Sequence, residues 1–255
     1  MKILRFAAAV VLLASAGCMK VREELLILPD GSGRLTFSFS VQSKGDAARF
    51  TQAEMMSGDP DEILEKVRGV AALARPSMTE KDGLVTIRMT AYFDDVNALK
   101  FMDDGEGAKA KPKEEFVFRR DGETATLEVK GNLLADEMPE RAPADPELLK
   151  QREELFKAMF SGFEFRLEVK LPGNVTMAEG FQGKEGRVAS YTVAERDLQK
   201  PADQQKLNAA VKFRASCGKS EVSDAEAADF RKELESAKAA WAELRQEMKK
   251  RSEKK

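Results

Sequence analysis

Apolar and polar side chains alternate with a period of two residues along much of the chain. The clearest run is residues 163–171, where five apolar side chains take the odd positions and charged side chains take the even ones. This period places successive side chains on opposite faces of a β-strand. Shorter strands are predicted at 187–193 and 209–216. Half-polar strands of this kind are typical of antiparallel sheets that are covered on one face.

Three more pairs of alternating segments flank short turn sequences, and each pair predicts a β-hairpin. The first turns at residues 29–33 (Pro-Asp-Gly-Ser-Gly), the second at 81–83 and the third at 120–122. The side chains predicted to face inward are Leu35, Phe37, Phe39 and Val41 in the first hairpin, Val85, Ile87, Met89, Ala91 and Phe93 in the second, and Phe116, Phe118, Ala125, Leu127 and Val129 in the third.

Helix-start signals lie between and after these hairpins. One Asp-Pro pair precedes residues 61–70, and another opens residues 145–160, so each segment is predicted to be a helix. Residues 103–113 are rich in Gly, Lys and Asp and are predicted to form a solvated, mobile loop. The fold class predicted for residues 18–220 is therefore α+β, an antiparallel sheet of hairpins covered by a few helices.

Residues 221–255 are predicted to form a long C-terminal amphipathic helix. Ser223, Asp224 and Glu226 resemble a capped helix start, and no Gly or Pro follows them. Apolar side chains from Phe230 to Met248 recur at alternating spacings of four and three residues, which aligns them in a seam along one face. The seam consists of Phe230, Leu234, Ala237, Trp241, Leu244 and Met248.

This helix permits two interpretations. A seam of under three heptads that includes Ala237 is weak for a free-standing coiled coil, which favours docking of the first helical turns on the chain's own sheet, with the distal end projecting. The alternative is that the face from Phe230 to Met248 binds a protein partner. The basic cluster at 249–255 suits a solvated helix end, and contact with anionic envelope phosphates is the sharper hypothesis.

The N-terminus carries a targeting segment. Lys2 and Arg5 precede an apolar stretch at residues 6–14, which is far shorter than the about 20 residues that span a bilayer. Small residues then lead to Cys18. The pattern resembles the bacterial lipobox, in which the cysteine thiol receives a diacylglyceryl group and becomes the new N-terminus. Residues 1–17 are therefore predicted to be a lipoprotein signal peptide and Cys18 the lipid-attachment site, the alternative being an unlipidated secretory signal.

An acylated Cys18 would hold the mature chain at a membrane, since two or more acyl chains anchor stably where one does not. The residue after the cysteine is Met19, whereas an Asp there commonly marks retention at the inner membrane. Its absence favours the outer membrane, with the domain facing the periplasm. Beyond the signal no segment approaches about 18 uninterrupted apolar residues, so a soluble domain on a lipid tether is predicted.

Composition removes several classes of chemistry. The chain has no histidine and two cysteines, which excludes histidine-dependent nucleophiles, His-containing zinc sites and thiolate clusters. With Cys18 acylated, Cys217 has no disulfide partner and is predicted to be a buried, inert thiol. A net charge of −2 offers no general attraction to nucleic acid. Nothing in the spacing of the carboxylates singles out a catalytic pair, so no enzyme, metal or cofactor is predicted.

A family resemblance rests on three features together. They are the lipobox cysteine, the charged first strand that turns at Asp30-Gly31-Ser32-Gly33, and Leu171-Pro172-Gly173-Asn174-Val175, which is followed by Gly180-Phe181-Gln182-Gly183 and a strand containing Tyr191. This combination resembles the LppM-like domain of bacterial envelope lipoproteins, over roughly residues 20–216. The resemblance implies a curved sheet packed by helices around an apolar interior, an association with envelope lipids or glycolipids, and no catalytic residues.

Two functions remain open at this point. One is a lipid-anchored module that binds an apolar or lipid ligand, in keeping with 15 Phe and 11 Met residues, although such side chains usually fill a core. The other is a structural or assembly lipoprotein that recruits a partner through its C-terminal helix. The first requires an apolar cavity and the second an exposed apolar stripe. An enzyme would instead require two acidic side chains converging in a cleft.

Overall fold

The computed structural model describes residues 19–42, 67–102, 112–131, 161–197 and 211–252. Their secondary structure is mostly β, with one long helix, α1 (Asp224–Ser252), at the C-terminal end. The strands are β1 (Lys20–Ile27), β2 (Gly33–Gln42), β3 (Val67–Arg68), β4 (Ala72–Leu73), β5 (Ser77–Lys81), β6 (Leu84–Phe93), β7 (Lys100–Met102), β8 (Pro112–Asp121), β9 (Thr124–Gly131), β10 (Glu164–Lys170), β11 (Gly173–Glu179), β12 (Gly183–Glu185), β13 (Val188–Ala194) and β14 (Val211–Ser220).

These strands form two sheets. The first has the order β12-β13-β10-β1-β2-β6-β4, with β5 also paired to β6, and the second has the order β11-β14-β9-β8-β7-β3. The α+β class is confirmed, but the prediction of a purely antiparallel sheet is wrong, because β1 and β10 pair in parallel. Parallel neighbours need a long connection between them. The local alternation of side chains does not indicate which distant strands will pair in parallel.

The two sheets pack face to face around one apolar core. Its side chains come from both sheets, for example Leu25 and Val169 from the first and Leu127 and Phe213 from the second, and all four are at most 1% exposed. The sequence predicted that helices cover the inner face of the sheet. In the described residues a second sheet does so, because its strands also present one apolar face that must be buried.

Individual strands follow the predicted alternation closely. The strand predicted at 163–171 is β10, the one at 187–193 is β13, and the one at 209–216 is β14, which continues to Ser220. All three hairpins form at the predicted turns. At the second turn Asp82 has φ 53° and Gly83 has φ 73°, the left-handed pair that a tight two-residue hairpin requires.

Two predicted segments differ from the structure at one end. The helix predicted at 61–70 is wrong over its last residues, because Val67 and Arg68 form β3 and pair with β7; residues 61–66 lie outside the described residues. The loop predicted at 103–113 ends early, since β8 begins at Pro112, and residues 103–111 again lie outside. The helix predicted at 145–160 lies wholly outside the described part of the chain.

Helix α1 packs on the outer face of the first sheet. Ser223 caps it, with its hydroxyl oxygen accepting a hydrogen bond from the Glu226 N–H at 3.1 Å. Three seam residues are buried, namely Phe230, Leu234 and Trp241. They share a cluster with Leu28, Ala72 and Tyr92, while Ala237 and Leu244 are partly buried beside it. The first turns therefore dock on the chain's own sheet, and the Met248 side chain lies outside the described residues.

The segment 171–175 makes the crossing between the two sheets. β10 ends at Lys170 in the first sheet and β11 begins at Gly173 in the second. A Cβ on Gly173 would stand 2.3 Å from the Lys219 carbonyl oxygen, so no other residue fits there without backbone movement. The Pro172 carbonyl accepts the Glu221 N–H at 2.9 Å. The Pro-Gly pair thus fixes the corner at which the chain changes sheets.

Candidate functional site

The inner face of the first sheet carries a second apolar cluster beside the main core. Phe39 and Val41 of β2 lie next to Val85 and Ile87 of β6, and each of the four is at most 5% exposed. Met19, Val21 and Phe37 pack against them. We call these seven side chains the β2–β6 cluster.

Strand register explains how the β2–β6 cluster assembles. Val21 pairs with Phe39, Phe39 with Ile87, and Ile87 with Met78, so one apolar row runs across four strands. Since residues two apart share a face, the next row adds Val41 and Val85. Met78 closes the row at the edge strand and is 41% exposed. Among the described residues, no side chain of the second sheet belongs to this cluster.

The β2–β6 cluster lies beside the predicted lipid-attachment site. Met19 packs against both this cluster and the main core, and it is covalently bonded to Cys18. Cys18 itself lies outside the described residues. Because consecutive Cα atoms are about 3.8 Å apart, any group attached to Cys18 starts within one residue of an apolar side chain of the cluster.

Glu23 is a charged side chain on the inner face of β1. Its neighbours in register are Leu167 on β10 and Phe37 on β2, and its neighbours along β1 on the same face are Val21 and Leu25. Glu23 is partly buried and engages another group of the chain. Its neighbours Leu25 and Leu167 belong to the main core and Phe37 packs on the β2–β6 cluster, while Val21 packs against both.

Aromatic rings close the other end of the same face. Tyr191, the strand aromatic noted in the sequence, lies in the row of Glu23 next to Leu167. Its ring centroid is 5.0 Å from that of Phe213 in an edge-on arrangement, and the ring centroid of Phe181 lies 4.9 Å from that of Phe213. Burial, and then the nearby Asp197 carboxylate, raise the pKa of Tyr191. The rings tie the two sheets together at this end.

Cys217 is fully buried in the main core and is free, as the sequence predicted. It shares the inner face of β14 with Phe213 and Ala215. In that apolar setting the thiol packs as a small hydrophobic side chain.

The contact between α1 and the first sheet contains a charged group. Arg34 on β2 donates to both carboxylate oxygens of Glu233 at 2.5 and 2.7 Å, and the Tyr92 hydroxyl donates to the same carboxylate at 2.8 Å. Burial, followed by this hydrogen bond to Glu233, raises the pKa of Tyr92 to about 12. The carboxylate therefore accepts three hydrogen bonds from two side chains, which fixes the helix in register on the strands.

A second ion pair ties the helix start to the corner between the sheets. Arg187 donates to both oxygens of Glu226 at 2.9 and 3.0 Å, and its Nε donates to the Leu171 carbonyl at 2.9 Å. Lys170 lies 3.6 Å from the same carboxylate. Burial acts to raise the pKa of Glu226, but Arg187 and Lys170 outweigh it and the pKa is lowered. The Pro-Gly corner and α1 are thus joined directly.

Sequence reasoning placed the apolar residues correctly but missed Glu23. The predicted first strand began at Leu25, whereas β1 begins at Lys20. Extending the same alternation backwards would have put Glu23 on the apolar face with Val21. Arg34 and Tyr92 could not be recognised, because their partner Glu233 is about 140 to 200 residues away along the chain and no local pattern marks it.

The fold and these sites define a class of protein: a two-sheet domain with an apolar interior, one helix on its outside and no helix, in the described residues, long and apolar enough to cross a membrane. The sequence model of the LppM domain matches residues 29–213. The chain therefore belongs to the LppM domain family, a family of lipoproteins, and this membership associates it with the cell envelope.

Two solved structures were compared with the chain. The folded domain of LppM from Mycobacterium tuberculosis, determined by NMR, is 17% identical, with 81% of this chain and 92% of that one covered, at a TM-score of 0.36. A variant M1 zinc metallopeptidase from Deinococcus radiodurans, bound to a tripeptide substrate, is 10% identical, with 79% and 42% covered, at a TM-score of 0.21. These TM-scores are too low to assign a shared fold. No functionally curated protein matches the sequence.

Proposed function

We propose that this protein is a lipid-anchored envelope module that binds an apolar or lipid ligand and performs no catalysis. The observation that carries the proposal is the β2–β6 cluster. Its four central side chains form a buried apolar patch on the inner face of the first sheet, to which no described side chain of the second sheet contributes. An apolar surface inside a small domain, next to a lipid anchor, suits an acyl chain.

The position of the cluster supports a lipid rather than another apolar ligand. Met19 packs on it and is bonded to Cys18, the proposed acylation site. A diacylglyceryl group there would hold this end of the domain against a leaflet, where lipids are the abundant apolar molecules. The proposed location is the outer membrane, with the domain facing the periplasm, and follows from Met19 in place of an Asp.

Recruitment of a partner through the helix face is the second function considered, and the packing of α1 weighs against it. Phe230, Leu234 and Trp241 are buried against the chain's own sheet. A partner using the seam from Phe230 to Met248 would have to displace the helix first.

The anchor is tested by replacing its thiol. We expect Cys18→Ala to abolish incorporation of labelled palmitate and partition into detergent, because only the thiol accepts the diacylglyceryl group. Continued acyl labelling of the variant would contradict the lipoprotein assignment.

The ligand site is tested with a photoreactive diacylglycerol added to the full chain in a neutral detergent. We expect the cross-links to fall within β2 and β6. Val85→Thr, which puts a hydroxyl into the β2–β6 cluster at nearly constant volume, should reduce labelling several-fold. Val169→Thr makes the same change in the main core, where the residue is 0% exposed, and should not.

The control separates a lost site from a weakened fold, since both variants bury an added hydroxyl. Cross-links spread over α1 and the outer face of the sheet, or equal loss of labelling in the two variants, would contradict the proposed site.

A further inference from the structure

Two rows of side chains cross the outer face of the first sheet near its opposite ends. One begins beside the predicted lipid-attachment site, and we call it the anchor row: Ala194, Glu164, Lys20, Ser40, Thr86 and Thr79, in register order. The other, the far row, consists of Lys170, Leu26, Arg34, Tyr92 and Ala72. Leu26 lies six residues after Lys20 on β1, so about 20 Å separates the two rows.

Helix α1 lies along the far row, across the strands. Glu226 near its start pairs with Lys170, and Glu233 accepts hydrogen bonds from Arg34 and Tyr92. The two apolar members of the far row pack in the cluster beneath the helix. Every side chain of the far row therefore contributes to holding α1 at the end of the sheet that lies away from the anchor row.

The fold begins directly after the predicted attachment site, without a linker. The Glu164 N–H donates to the Met19 carbonyl at 3.0 Å, and β1 begins at Lys20. Cys18 is bonded to Met19, and the two residue steps from Cys18 to Lys20 span about 7 Å at most. An acylated Cys18 would therefore keep the anchor row close to the leaflet and leave no slack for the far row to reach it.

An exposed apolar side chain lies at the same end of the sheet. Met78 on β5 is 41% exposed, and within the described part of the chain it is the large apolar side chain that solvent reaches. It directly precedes Thr79 of the anchor row, and through Ile87 and Phe39 it is in register with Val21. A lipid interface would remove this apolar surface from water, which is favourable.

The outer faces of the sheets do not suit contact with a bilayer. Between the two rows the first sheet presents only polar and charged side chains, namely Thr192, Arg166, Arg22, Ser38, Arg88 and Ser77 in one row and Ser190, Glu168, Glu24, Thr36 and Thr90 in the next. The second sheet carries charged pairs on its outer face, such as Arg214–Glu128. Laying either face on lipid would remove water from charged groups, which is costly.

We propose that the domain stands upright on the leaflet that holds its anchor, with the anchor row next to the lipid surface and α1 on the side that faces away. This inference rests on the lipid anchor of the proposed function. Met78 meets the lipid interface. The outer side of α1 faces the aqueous space, where soluble molecules reach it and the lipids of the anchoring leaflet do not.

The test compares how far the two ends of the sheet lie from the leaflet. The full-length acylated protein carries one donor fluorophore, either on Thr79→Cys in the anchor row or on Ser236→Cys at an exposed position of α1. Cys217 is 0% exposed and the Cys18 thiol is used in the acylation, so the introduced thiol is the one that reacts. The protein is added to preformed vesicles of phosphatidylethanolamine and phosphatidylglycerol that contain rhodamine-labelled phosphatidylethanolamine as the acceptor.

Energy transfer falls steeply with distance, so we expect it to be several-fold stronger from position 79 than from position 236. The control is labelled Thr79→Cys in a Cys18→Ala background, which should show little transfer because nothing then holds the domain at the vesicle. Should Thr79→Cys fail to fold, Lys81→Cys on the same exposed strand replaces it.

Equal transfer from the two positions, or stronger transfer from α1, would overturn the upright orientation. Transfer from position 79 that survives the loss of Cys18 would overturn it as well, since the anchor would not then place the domain. Flotation of the labelled protein with the vesicles is measured first. Protein that does not float would contradict the proposed anchor, whereas floating protein with the wrong pattern of transfer contradicts the orientation alone.

Discussion

The interior between the sheets and the contact between α1 and the first sheet are built in opposite ways. The interior is a broad apolar core to which both sheets contribute, with rings such as Phe213 wholly buried. The helix contact has a small apolar cluster around Phe230, Leu234 and Trp241. Around it lie ion pairs that join the helix to the rest of the domain: Arg187–Glu226, Lys170–Glu226, Arg231–Asp30, Arg34–Glu233, Lys238–Asp94 and Arg75–Glu247.

This difference indicates which part holds the domain together and which part can respond to conditions. Burial of apolar area depends little on salt or pH, whereas partly exposed ion pairs are weakened by both. The sheets should therefore form one stable unit, whereas the docking of the helix should depend on salt and pH.

The largest effect is expected from breaking the interior. Phe213→Ala removes a ring that is 1% exposed and lies about 5 Å from the rings of Phe181 and Tyr191. We expect the free energy of unfolding to fall by about 3–5 kcal/mol, measured by chemical denaturation. Met78→Ala on the exposed edge strand is the control, with a change within about 0.5 kcal/mol. A loss of stability for Phe213→Ala as small as that for Met78→Ala would show that the interior is loosely packed.

A smaller effect is expected from the helix contact. Leu234→Ala should cost about 2 kcal/mol, at the low end for a buried leucine, because the cluster around it is small. Trp241 is the only tryptophan and is 7% exposed, so its emission reports this contact. In the unmodified protein the emission should be blue-shifted at every protein concentration, and Leu234→Ala should move it to the red. A blue shift that appears only at high concentration would contradict docking within one chain.

The ion pairs should contribute less again. Arg34→Met keeps an apolar stem and removes the charge that pairs with Glu233, and we expect a loss of under about 1 kcal/mol because both side chains are partly exposed. In about 1 M NaCl the difference between variant and parent should shrink, since salt screens the pair. Arg119→Met, a change at an exposed arginine of β8, is the control. An unchanged difference in salt would indicate that Arg34 acts through packing alone.

The last effect concerns tyrosine ionisation and appears only at high pH. The two tyrosines of the chain lie in the two regions compared, and both have raised pKa values, that of Tyr92 reaching about 12. A raised pKa contributes stability that is fully present below the ordinary value of 10 and is lost as the pH rises through the folded value. The parent should thus lose more stability than Tyr92→Phe between those two values.

Ultraviolet absorbance of tyrosinate measures this directly. In the folded parent, ionisation should begin above the ordinary pKa, and in denaturant it should return to about 10. Titration of Tyr92 at the ordinary value in the folded protein would contradict its burial and its hydrogen bond to Glu233.

Local pattern predicted the strands because one face of each is buried and the other is not. The alternation at 163–171 became β10, and the turn at Asp82 and Gly83 became a hairpin as expected. The seam of α1 was predicted for the same reason, since Phe230, Leu234 and Trp241 recur with the helical period.

The arrangement of those elements could not be predicted in this way. Leu25 and Val169 pair across β1 and β10 although they are far apart in the chain, and a sequence of half-polar strands fits one sheet covered by helices as well as two sheets covering each other. Glu23 was missed for a related reason, because its apolar neighbours Leu167 and Phe37 come from other strands.

The proposed ligand site is tested most directly by the protein taken from its own envelope. Native mass spectrometry of the full-length chain, purified without added lipid, should show the acylated protein with a non-covalently bound lipid. That adduct should be depleted in Val85→Thr and retained in Val169→Thr. Protein that emerges from its envelope without any bound lipid, or with a lipid that both variants retain equally, would contradict the account.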